Sequence, residues 1–399
     1  MTQTLHTTGS QTIGSQRIAT FGETVFAKYT RLAQEYGAVN LGQGFPDFDP
    51  PDFALEALRK SADAYQQYPP LPGMPVLAEA VAQKMSARLG QPLAPVQNVQ
   101  ITVGATEALY AAMQALVDPG DEVILLEPFY DAYPADVLMA GGVPKYVPLQ
   151  PQTDGKWLLD LDELARVFSP KTKAILLNTP HNPTGKVFSE GELDAIVGLA
   201  HEHDALILSD EVYEHIAFAP HVSVASRPGG WERTLTVSSI GKTFSVTGWK
   251  VGWVTGPEPL IHALQMAHQW IPFTVATPLQ IASAEILRRA DEGYYEGLER
   301  LYRSKRDLLV DALQKTPFRP LVPEGGYFVI ADSAALPYED DVTLCENLPR
   351  DAGVGAIPPS AFYSAEHKHL AKHLVRFAFC KSDEAIVEAG QRLSNFQVT

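Results

Sequence analysis

Residues 238–253 read SSIGKTFSVTGWKVGW and hold two lysines, Lys242 and Lys250, eight positions apart. Lysine side chains usually lie in solvent, yet the small residues, glycines and tryptophans around this pair are typical of a buried strand and a tight turn. A lysine at the edge of a partly buried cleft can lose its proton and form a Schiff base, which suits Lys242. Lys250 could hold a dianionic phosphate together with the hydroxyls of Ser239 and Thr106. Two surface lysines beside a turn, the alternative, would explain neither the tryptophans nor the small residues.

Short apolar runs alternate with helical patterns on both sides of this segment. The runs are VQITVG, DEVILLEP, KAILLNTP, ALILSDEVY, TLTVSSIGK and KVGWVTG. Continuous apolar strands separated by helices predict an α/β fold with a mostly parallel sheet that is covered on both faces. Ligands of such sheets bind outside the carboxyl ends of the strands, where this sequence is rich in polar groups. These ends carry Gly104 and residues 127–128, 178–180, 209–211 and 238–242.

The pattern changes after about residue 275. Residues 277–314 form one long helical stretch, which we expect to be broken once at Gly293. The later runs GGYFVIAD and HLVRFAFC predict strands of a smaller α/β domain, to which residues 20–50 would also belong. The predicted organisation is a loose N-terminal arm (1–19), the N-terminal part of the small domain (20–50), a large domain (51–290) and the rest of the small domain (291–399).

Composition narrows the class of protein. The 399 residues carry a net charge of −16, with 45% hydrophobic and 20% charged residues. Such an acidic chain repels nucleic acid and anionic membranes, and it has no apolar run long enough to span a bilayer. The polar N-terminus does not resemble a signal peptide. Cys345 and Cys380 form no metal or redox motif, so we expect a reduced, cytoplasmic protein without a metal site.

Gly104 follows the strand run QITV, and we expect a helix to open at Thr106. A helix N-terminus exposes free backbone N–H groups and a positive dipole end, so a phosphate fits there. An isolated glycine at such a place more often serves only to turn the chain.

Three further polar side chains and one arginine stand out. Asp210 ends an apolar strand and could hold a protonated ring nitrogen, although an N-cap aspartate is an equal alternative. Tyr213 could donate to the same ligand or simply lie at a domain edge. The string NTPHNPTG, residues 178–185, forms a rigid loop that could present the Asn182 amide. Arg376 lies among apolar residues and needs a partner, either a ligand carboxylate or an internal salt bridge.

Taken together, these residues resemble the class I and II aminotransferases, which are pyridoxal-phosphate enzymes of fold type I. The resemblance runs from about residue 20 to the end and is strongest to the branch with kynurenine, glutamine and bacterial methionine aminotransferases. The strings that carry it are NLGQGFPDFDPPDF, LVDPGDEVILLEPFYDAY, LNTPHNPTGKVFS, DEVYEHI, WERTLTVSSIGKTFSVTGWKVGWVTGP and IPPSAFYS. It implies a seven-stranded sheet in the large, cofactor-binding domain.

The resemblance also implies roles for residues around the cofactor. Lys242 corresponds to the Schiff-base lysine, and Asp210 to the partner of the pyridine nitrogen. Tyr213 and Asn182 correspond to the groups that bond the ring hydroxyl, and Tyr130 to the aromatic side chain that stacks on the ring. The residues expected at the phosphate are Gly104, Ala105, Thr106, Ser239 and Lys250, with Tyr68 reaching it from the neighbouring subunit of a homodimer.

The resemblance further implies a substrate site. Arg376 corresponds to the arginine that binds the substrate carboxylate, with Gly42 and Asn182 beside it. Phe273, Phe362 and Tyr363 are the expected apolar wall. Phe273 and Thr274 stand where some kynurenine aminotransferases have Phe and His, and this stretch has no arginine for a second carboxylate. A neutral side chain is therefore expected on the amino acid, with methionine, aromatic residues and glutamine first.

The implied reaction is a ping-pong transamination between an amino acid and a 2-oxo acid. Lys242 would move the Cα proton while the ring, kept protonated by Asp210, takes up electrons. Three alternatives stay open: a cysteine-conjugate β-lyase using the same site, an aminotransferase of the diaminopimelate pathway, and an aminotransferase-like regulator domain. The regulator would need a DNA-binding domain before the matched region. In this sequence only about 20 polar residues precede that region.

Overall fold

A seven-stranded sheet organises the fold of the computed structural model, which describes residues 14–19, 21–152 and 154–396. The arm predicted over residues 1–19 lies mostly outside the described residues. The strands of the described chain are β1 (Val39–Asn40), β2 (Val99–Thr102), β3 (Glu122–Glu127), β4 (Val143–Pro148), β5 (Gln150–Pro151), β6 (Trp157–Leu158), β7 (Thr172–Asn178), β8 (Leu206–Asp210), β9 (Thr234–Ser239), β10 (Gly252–Thr255), β11 (Arg319–Leu321), β12 (Phe328–Asp332), β13 (Val354–Gly355) and β14 (Leu374–Ala378).

The seven-stranded sheet has the order β2-β10-β9-β8-β7-β3-β4. Strand β10 runs antiparallel to β2 and β9, and the pairs from β9 across to β4 are parallel. The mostly parallel α/β sheet predicted from the apolar runs is therefore confirmed. Six strands end at the same edge, and this edge brings together the polar groups that follow β2, β3, β7, β8 and β9.

Helices cover the sheet because its strands are buried on both faces. Two separate apolar clusters pack on it, one around Ile124, Leu177 and Ile207 and the other around Leu125, Leu176 and Val237. The helices of the described chain are α1 (Val25–Glu35), α2 (Asp52–Ser61), α3 (Pro75–Leu89), α4 (Gly104–Leu116), α5 (Ala132–Ala140), α6 (Leu161–Val167), α7 (Glu190–Glu202), α8 (Ile240–Thr243), α9 (Glu258–His268), α10 (Thr277–Arg289), α11 (Glu292–Leu313), α12 (Asp341–Asp351) and α13 (Asp383–Ser394).

The C-terminal part builds a second, smaller sheet. Strands β11, β12 and β14 pair antiparallel in that order, and helices α11 to α13 surround them. Strand β1 pairs in parallel with β13, so residues 39–40 lie against residues 354–355. This pairing agrees with the prediction that residues 20–50 join the C-terminal part, while the domain boundaries themselves stay predictions.

The long helical stretch breaks earlier than we expected. Helix α10 ends at Arg289 and α11 begins at Glu292, so Gly293 lies inside the first turn of α11. The break falls there because the Asp291 side chain accepts a hydrogen bond from the Tyr294 N–H and caps the new helix. An aspartate N-cap therefore determines the boundary, and the prediction of a break at Gly293 was wrong.

No helix in the described part of the chain combines the length and the apolar character that crossing a membrane requires.

Candidate active site

Lys242 lies just after the carboxyl end of strand β9. The strand ends at Ser239, and the single turn α8 carries Lys242 into a cavity of about 210 Å³. Its Nζ donates a hydrogen bond of 2.6 Å to the hydroxyl of Tyr327. The buried strand and tight turn expected around the two lysines are thus present, and the side chain of Lys242 lines the cavity.

The environment of Lys242 favours its neutral form. Burial lowers the pKa of this amine to about 8, because the charged form loses its hydration. The positive charges of Lys250 and Arg376 act in the same direction, whereas the charge of Asp210 opposes it. A neutral lysine amine is a nucleophile and a base, so this side chain can attack a carbonyl or take up a proton near neutral pH.

Asp210 forms the buried acidic wall of the same cavity. It ends β8, and its Oδ2 accepts a hydrogen bond of 2.7 Å from the Tyr133 hydroxyl. Its Oδ1 accepts from the backbone N–H of Val212 at 3.2 Å. Burial raises the pKa of Asp210, and the two hydrogen bonds oppose that rise. A buried carboxylate at this place is suited to bind a protonated ring nitrogen.

The opposite end of the cavity is suited to an anion. Helix α4 begins at Gly104, two residues before the expected start at Thr106, because glycine takes the φ of +70° that ends the strand. Lys250 also has a left-handed φ of 54°, and its Nζ lies 3.5 Å from Thr106 Oγ1. The free N–H groups of the helix, a lysine and a hydroxyl therefore converge on one point.

The amide of Asn182 is positioned by a second asparagine. Asn178, the last residue of β7, donates from Nδ2 to the backbone oxygen of Asp210 at 2.9 Å. Its Oδ1 accepts from the Asn182 N–H at 2.6 Å. The rigid loop expected over residues 178–185 is thereby tied to β8, and Asn182 lines the cavity.

The structure brings every residue that we expected at the cofactor into this cavity, except Tyr68. The lining includes Gly104, Ala105, Thr106, Tyr130, Asn182, Asp210, Tyr213, Ser239, Lys242 and Lys250. Tyr68 is 74% exposed, and its ring packs edge-on against that of Phe273 at 5.2 Å, with Phe273 itself 53% exposed. These two residues lie on the surface of the chain, away from its own cavity lining.

Arg376 is buried without a carboxylate partner. It lies in β14 and is only 1% exposed, and one Nη donates to the backbone oxygen of Gly42 at 2.9 Å. Its guanidinium stacks over the rings of Phe328, at 4.1 Å, and Phe362, at 4.9 Å. No described acidic side chain forms an ion pair with it, and burial lowers its pKa to about 10. A buried cation of this kind can bind an incoming carboxylate.

The expected apolar wall is divided among different places. Phe362 is buried beside Arg376, in the short 3₁₀ helix Pro359–Phe362, and so lies next to the guanidinium. Tyr363 instead packs into the apolar cluster beneath β3 and β7, and Phe273 lies on the surface with Tyr68. All three side chains lie outside the lining of the described cavity, and so do Arg376 and Gly42.

Two tyrosines at the site were missed by sequence reasoning. Tyr133 contacts Asp210 and Tyr327 contacts Lys242, across 77 and 85 residues of sequence. Tyr133 lies in the string LVDPGDEVILLEPFYDAY, which indicates the family, and Tyr327 lies in GGYFVIAD, which predicts a strand. No local signal in either string indicates which polar group its tyrosine will meet.

Comparison with known proteins identifies the family. Residues 36–393 match the sequence model of the family described as aminotransferase class I and II. The chain belongs to the class I and II aminotransferases. This aminotransferase is 39% identical over 414 residues to kynurenine–oxoglutarate transaminase of Dictyostelium discoideum, with 95% of each chain covered. The suspected family and branch are thereby confirmed.

Solved structures of the family agree with the fold. The N-succinyldiaminopimelate aminotransferase of Mycobacterium tuberculosis is 42% identical with a TM-score of 0.92, covering 96% of this aminotransferase and 100% of that chain. A methionine aminotransferase of Escherichia coli is 40% identical with a TM-score of 0.91 and the same coverage. The fold type I architecture expected from the sequence is confirmed.

Enzymes of this family use pyridoxal 5'-phosphate, and the residues present here fit that cofactor. The anion-binding end can take the phosphate: a Cβ built on Gly104 would already lie 3.3 Å from Lys250 Nζ, so a glycine keeps this end open. The buried carboxylate of Asp210 suits the ring nitrogen, and the lowered pKa of Lys242 suits a carbonyl-binding amine. The cavity therefore offers positive groups for the phosphate, and a carboxylate and an amine for the ring and its carbonyl group.

Proposed function

We propose that this aminotransferase moves the amino group of an L-amino acid with a neutral side chain, such as methionine, an aromatic residue or glutamine, to a 2-oxo acid. The observation that carries the proposal is the unpaired guanidinium of Arg376, buried among aromatic rings. Leaving such a charge without a partner is costly, and a substrate α-carboxylate would supply the missing partner. The aromatic rings that flank it favour an apolar side chain on the same substrate.

Different residues of this chain have different roles in the proposed reaction. Pyridoxal phosphate, when bound, supplies a ring that accepts the electron pair from Cα. Arg376 binds the substrate carboxylate and so fixes the orientation of Cα. Lys242 removes the Cα proton with its neutral amine in the first half of the reaction, and in the reverse half it supplies the proton to Cα of the new amino acid. The buried carboxylate of Asp210 would bind the ring nitrogen and stabilise its protonated form.

The absence of a second arginine in the relevant segments argues against a dicarboxylate substrate. Lys242 and Lys250 are the positive side chains among the described residues that line the cavity. Residues 66–68 and 270–278, which contain Tyr68 and Phe273, have no arginine or lysine in their sequence. A distal carboxylate beside these two segments would therefore have no counter-charge from them, which is unfavourable once it is removed from water.

We further propose that the active unit is a homodimer, as the family resemblance implies. Tyr68 and Phe273 form an exposed aromatic pair, and Trp270, three residues before Phe273, is 84% exposed. Contiguous exposed apolar side chains usually mark an interface, and a symmetric dimer would cover this surface with a second copy. In that arrangement Tyr68 would reach the phosphate of the partner's cavity.

We also propose that the protein is located in the cytoplasm, because Cys345 and Cys380 are buried free thiols and a reducing compartment keeps thiols in this form.

Two other activities are compatible with the same site. A β-lyase would use the same proton removal by Lys242 but expel a sulfur group from Cβ. A role in diaminopimelate metabolism is suggested by the relative from Mycobacterium tuberculosis that is named for it and is 43% identical over 387 residues. Pyruvate released from a cysteine conjugate without an added oxo acid would reveal the lyase, and turnover of N-succinyldiaminopimelate would reveal the other activity.

The test of the substrate class is a comparison of kcat/KM for methionine and aspartate with one shared oxo acid. We expect methionine to exceed aspartate by at least about 100-fold, since an unpaired buried carboxylate costs a few kcal/mol. Phenylalanine and glutamine serve as additional neutral substrates. A clear preference for aspartate would contradict the assignment of the pocket and leave aminotransferase activity itself intact.

A further inference from the structure

The hydroxyl of Tyr327 lies between Lys242 and a backbone carbonyl. It accepts the Lys242 Nζ–H at 2.6 Å and donates its own proton to the oxygen of Gly44. Tyr327 is fully buried, and its carbonyl accepts from the Phe379 N–H at 2.9 Å. Its ring packs edge-on against that of Tyr213 at 5.0 Å. The hydroxyl is therefore held at a fixed point by the packing of the ring and by two backbone hydrogen bonds.

The direction of these hydrogen bonds has a chemical consequence. A tyrosine hydroxyl has one proton, and a carbonyl oxygen can only accept, so the proton of Tyr327 is committed to Gly44. Towards Lys242 the hydroxyl can then act only as an acceptor. A neutral amine has two N–H groups and one lone pair. When one N–H is donated to Tyr327, the lone pair stays free on the side of the cavity.

The same backbone segment also contacts Arg376. Gly42 accepts a hydrogen bond from the guanidinium, and Gly44, two residues later, accepts from Tyr327. A Cβ at Gly44 would lie 2.6 Å from the ring of Phe328, so this segment packs closely against the residues around it. Residues 42–44 thus fix both Arg376, which is proposed to bind the substrate carboxylate, and Tyr327, which contacts Lys242.

We propose that Tyr327 is a positioning residue for Lys242, whose hydroxyl holds the free amine and leaves its lone pair directed towards the cavity. The inference rests on the proposed function, because Lys242 is the proton carrier only there. Tyr327 itself neither gains nor loses a proton in this role. The charged and titratable groups that act on Lys242 besides Tyr327 are Tyr213, Cys380, Asp210, Lys250 and Arg376.

The test measures the pKa of Lys242 in the full chain freed of cofactor, without any turnover. Competitive acylation over a range of pH, read by mass spectrometry on the peptide with Lys242, gives this value directly. An acceptor stabilises the charged amine, so Tyr327→Phe should lower the pKa of Lys242 by about one pH unit. Tyr327→Met removes the hydroxyl with a different side chain and should shift the pKa in the same direction, so either variant that folds suffices.

Tyr302→Phe is the matched control. Tyr302 is buried with its ring 6.1 Å from that of Tyr327, and its hydroxyl has no hydrogen-bond partner among the described residues. Its replacement should leave the pKa of Lys242 unchanged. An unchanged pKa in the Tyr327 variants, or an equal shift in Tyr302→Phe, would overturn the proposal.

A second readout uses the holoenzyme. Tyr327→Phe should lower kcat about tenfold and raise the isotope effect of Cα-deuterated substrate, while KM and cofactor content change little. A purely structural role would lower the melting temperature and cofactor content without changing the isotope effect. Because the acylation result needs no turnover, it separates a failure of this inference from a failure of the proposed substrate class.

Discussion

Tyr133 donates its hydroxyl proton to Oδ2 of Asp210 at 2.7 Å, at the carboxyl edge of the large sheet where both residues line the cavity. Both side chains are buried, so the hydrogen bond is shielded from water and favours the charged carboxylate. Besides this hydrogen bond, the Val212 N–H and the positive charge of Lys242 stabilise the carboxylate. The tyrosine therefore favours the ionised carboxylate at the place where the proposed function needs a negative charge, against the effect of burial.

The first prediction concerns this contact. Burial already raises the pKa of Asp210, and the Tyr133 hydroxyl opposes that rise. In Tyr133→Phe the pKa of Asp210 should rise further, so the carboxylate is lost at a higher pH than in the wild type. The acidic limb of the kcat profile should move to higher pH by about one unit. Tyr146→Phe, on edge strand β4, is the control, and the same profile in Tyr133→Phe as in wild type would contradict the role.

Lys250 should determine the affinity for the phosphate of the cofactor. In Lys250→Ala the dissociation constant of pyridoxal phosphate, measured by titration of the cofactor-free chain, should rise about 10- to 100-fold because one charge-assisted hydrogen bond is lost. Lys250→Arg keeps the charge and should bind nearly as well. Unaltered affinity in Lys250→Ala would show that the helix N-terminus holds the phosphate without the lysine.

The paired N–H donors of the Arg376 guanidinium should contribute more to substrate binding than its positive charge alone. Arg376→Lys keeps a cation but loses the paired N–H groups, so kcat/KM should fall about 100-fold for all amino acid substrates alike. Cofactor affinity should not change. Arg319→Lys, on the exposed edge of the same small sheet, is the matched control. A fall in kcat/KM for only one substrate would indicate that Arg376 binds the side chain of that substrate and not the α-carboxylate.

The proposed dimer can be tested by mixing chains with different defects. When Tyr68→Phe chains combine with Lys242→Ala chains, one hybrid site receives both changes and the other receives neither, provided that Tyr68 crosses to the partner. The mixture should then exceed the average activity of the two parent proteins. If Tyr68 acts within its own chain, both hybrid sites are damaged, and the mixture gains nothing over its parents.

The sequence was sufficient to place most of this site. Gly104, Asn178, Asp210 and Ser239 each come directly at or after an apolar strand, and parallel pairing brings such strand ends to one edge. The local pattern alone therefore predicted a polar cavity there. The family resemblance added the roles of these residues, which stay predictions until they are tested.

The contacts that sequence could not supply join distant segments. Tyr327 reaches Lys242 from the residue just before β12, and Tyr133 reaches Asp210 from α5, so each contact depends on how whole elements pack. The break between α10 and α11 was misplaced for a different reason. The helical pattern predicts the break at Gly293, whereas the capping aspartate two residues earlier determines the boundary.

The most direct test of the account is to find where pyridoxal phosphate becomes attached. The purified chain with cofactor is reduced with borohydride and digested, and the peptides are analysed by mass spectrometry. We predict a phosphopyridoxyl group on Lys242 and none on Lys250, and no transamination above background in Lys242→Ala. An exposed lysine variant, Lys60→Ala, should behave as wild type. Attachment at another lysine, or normal turnover by Lys242→Ala, would contradict the central role of this residue.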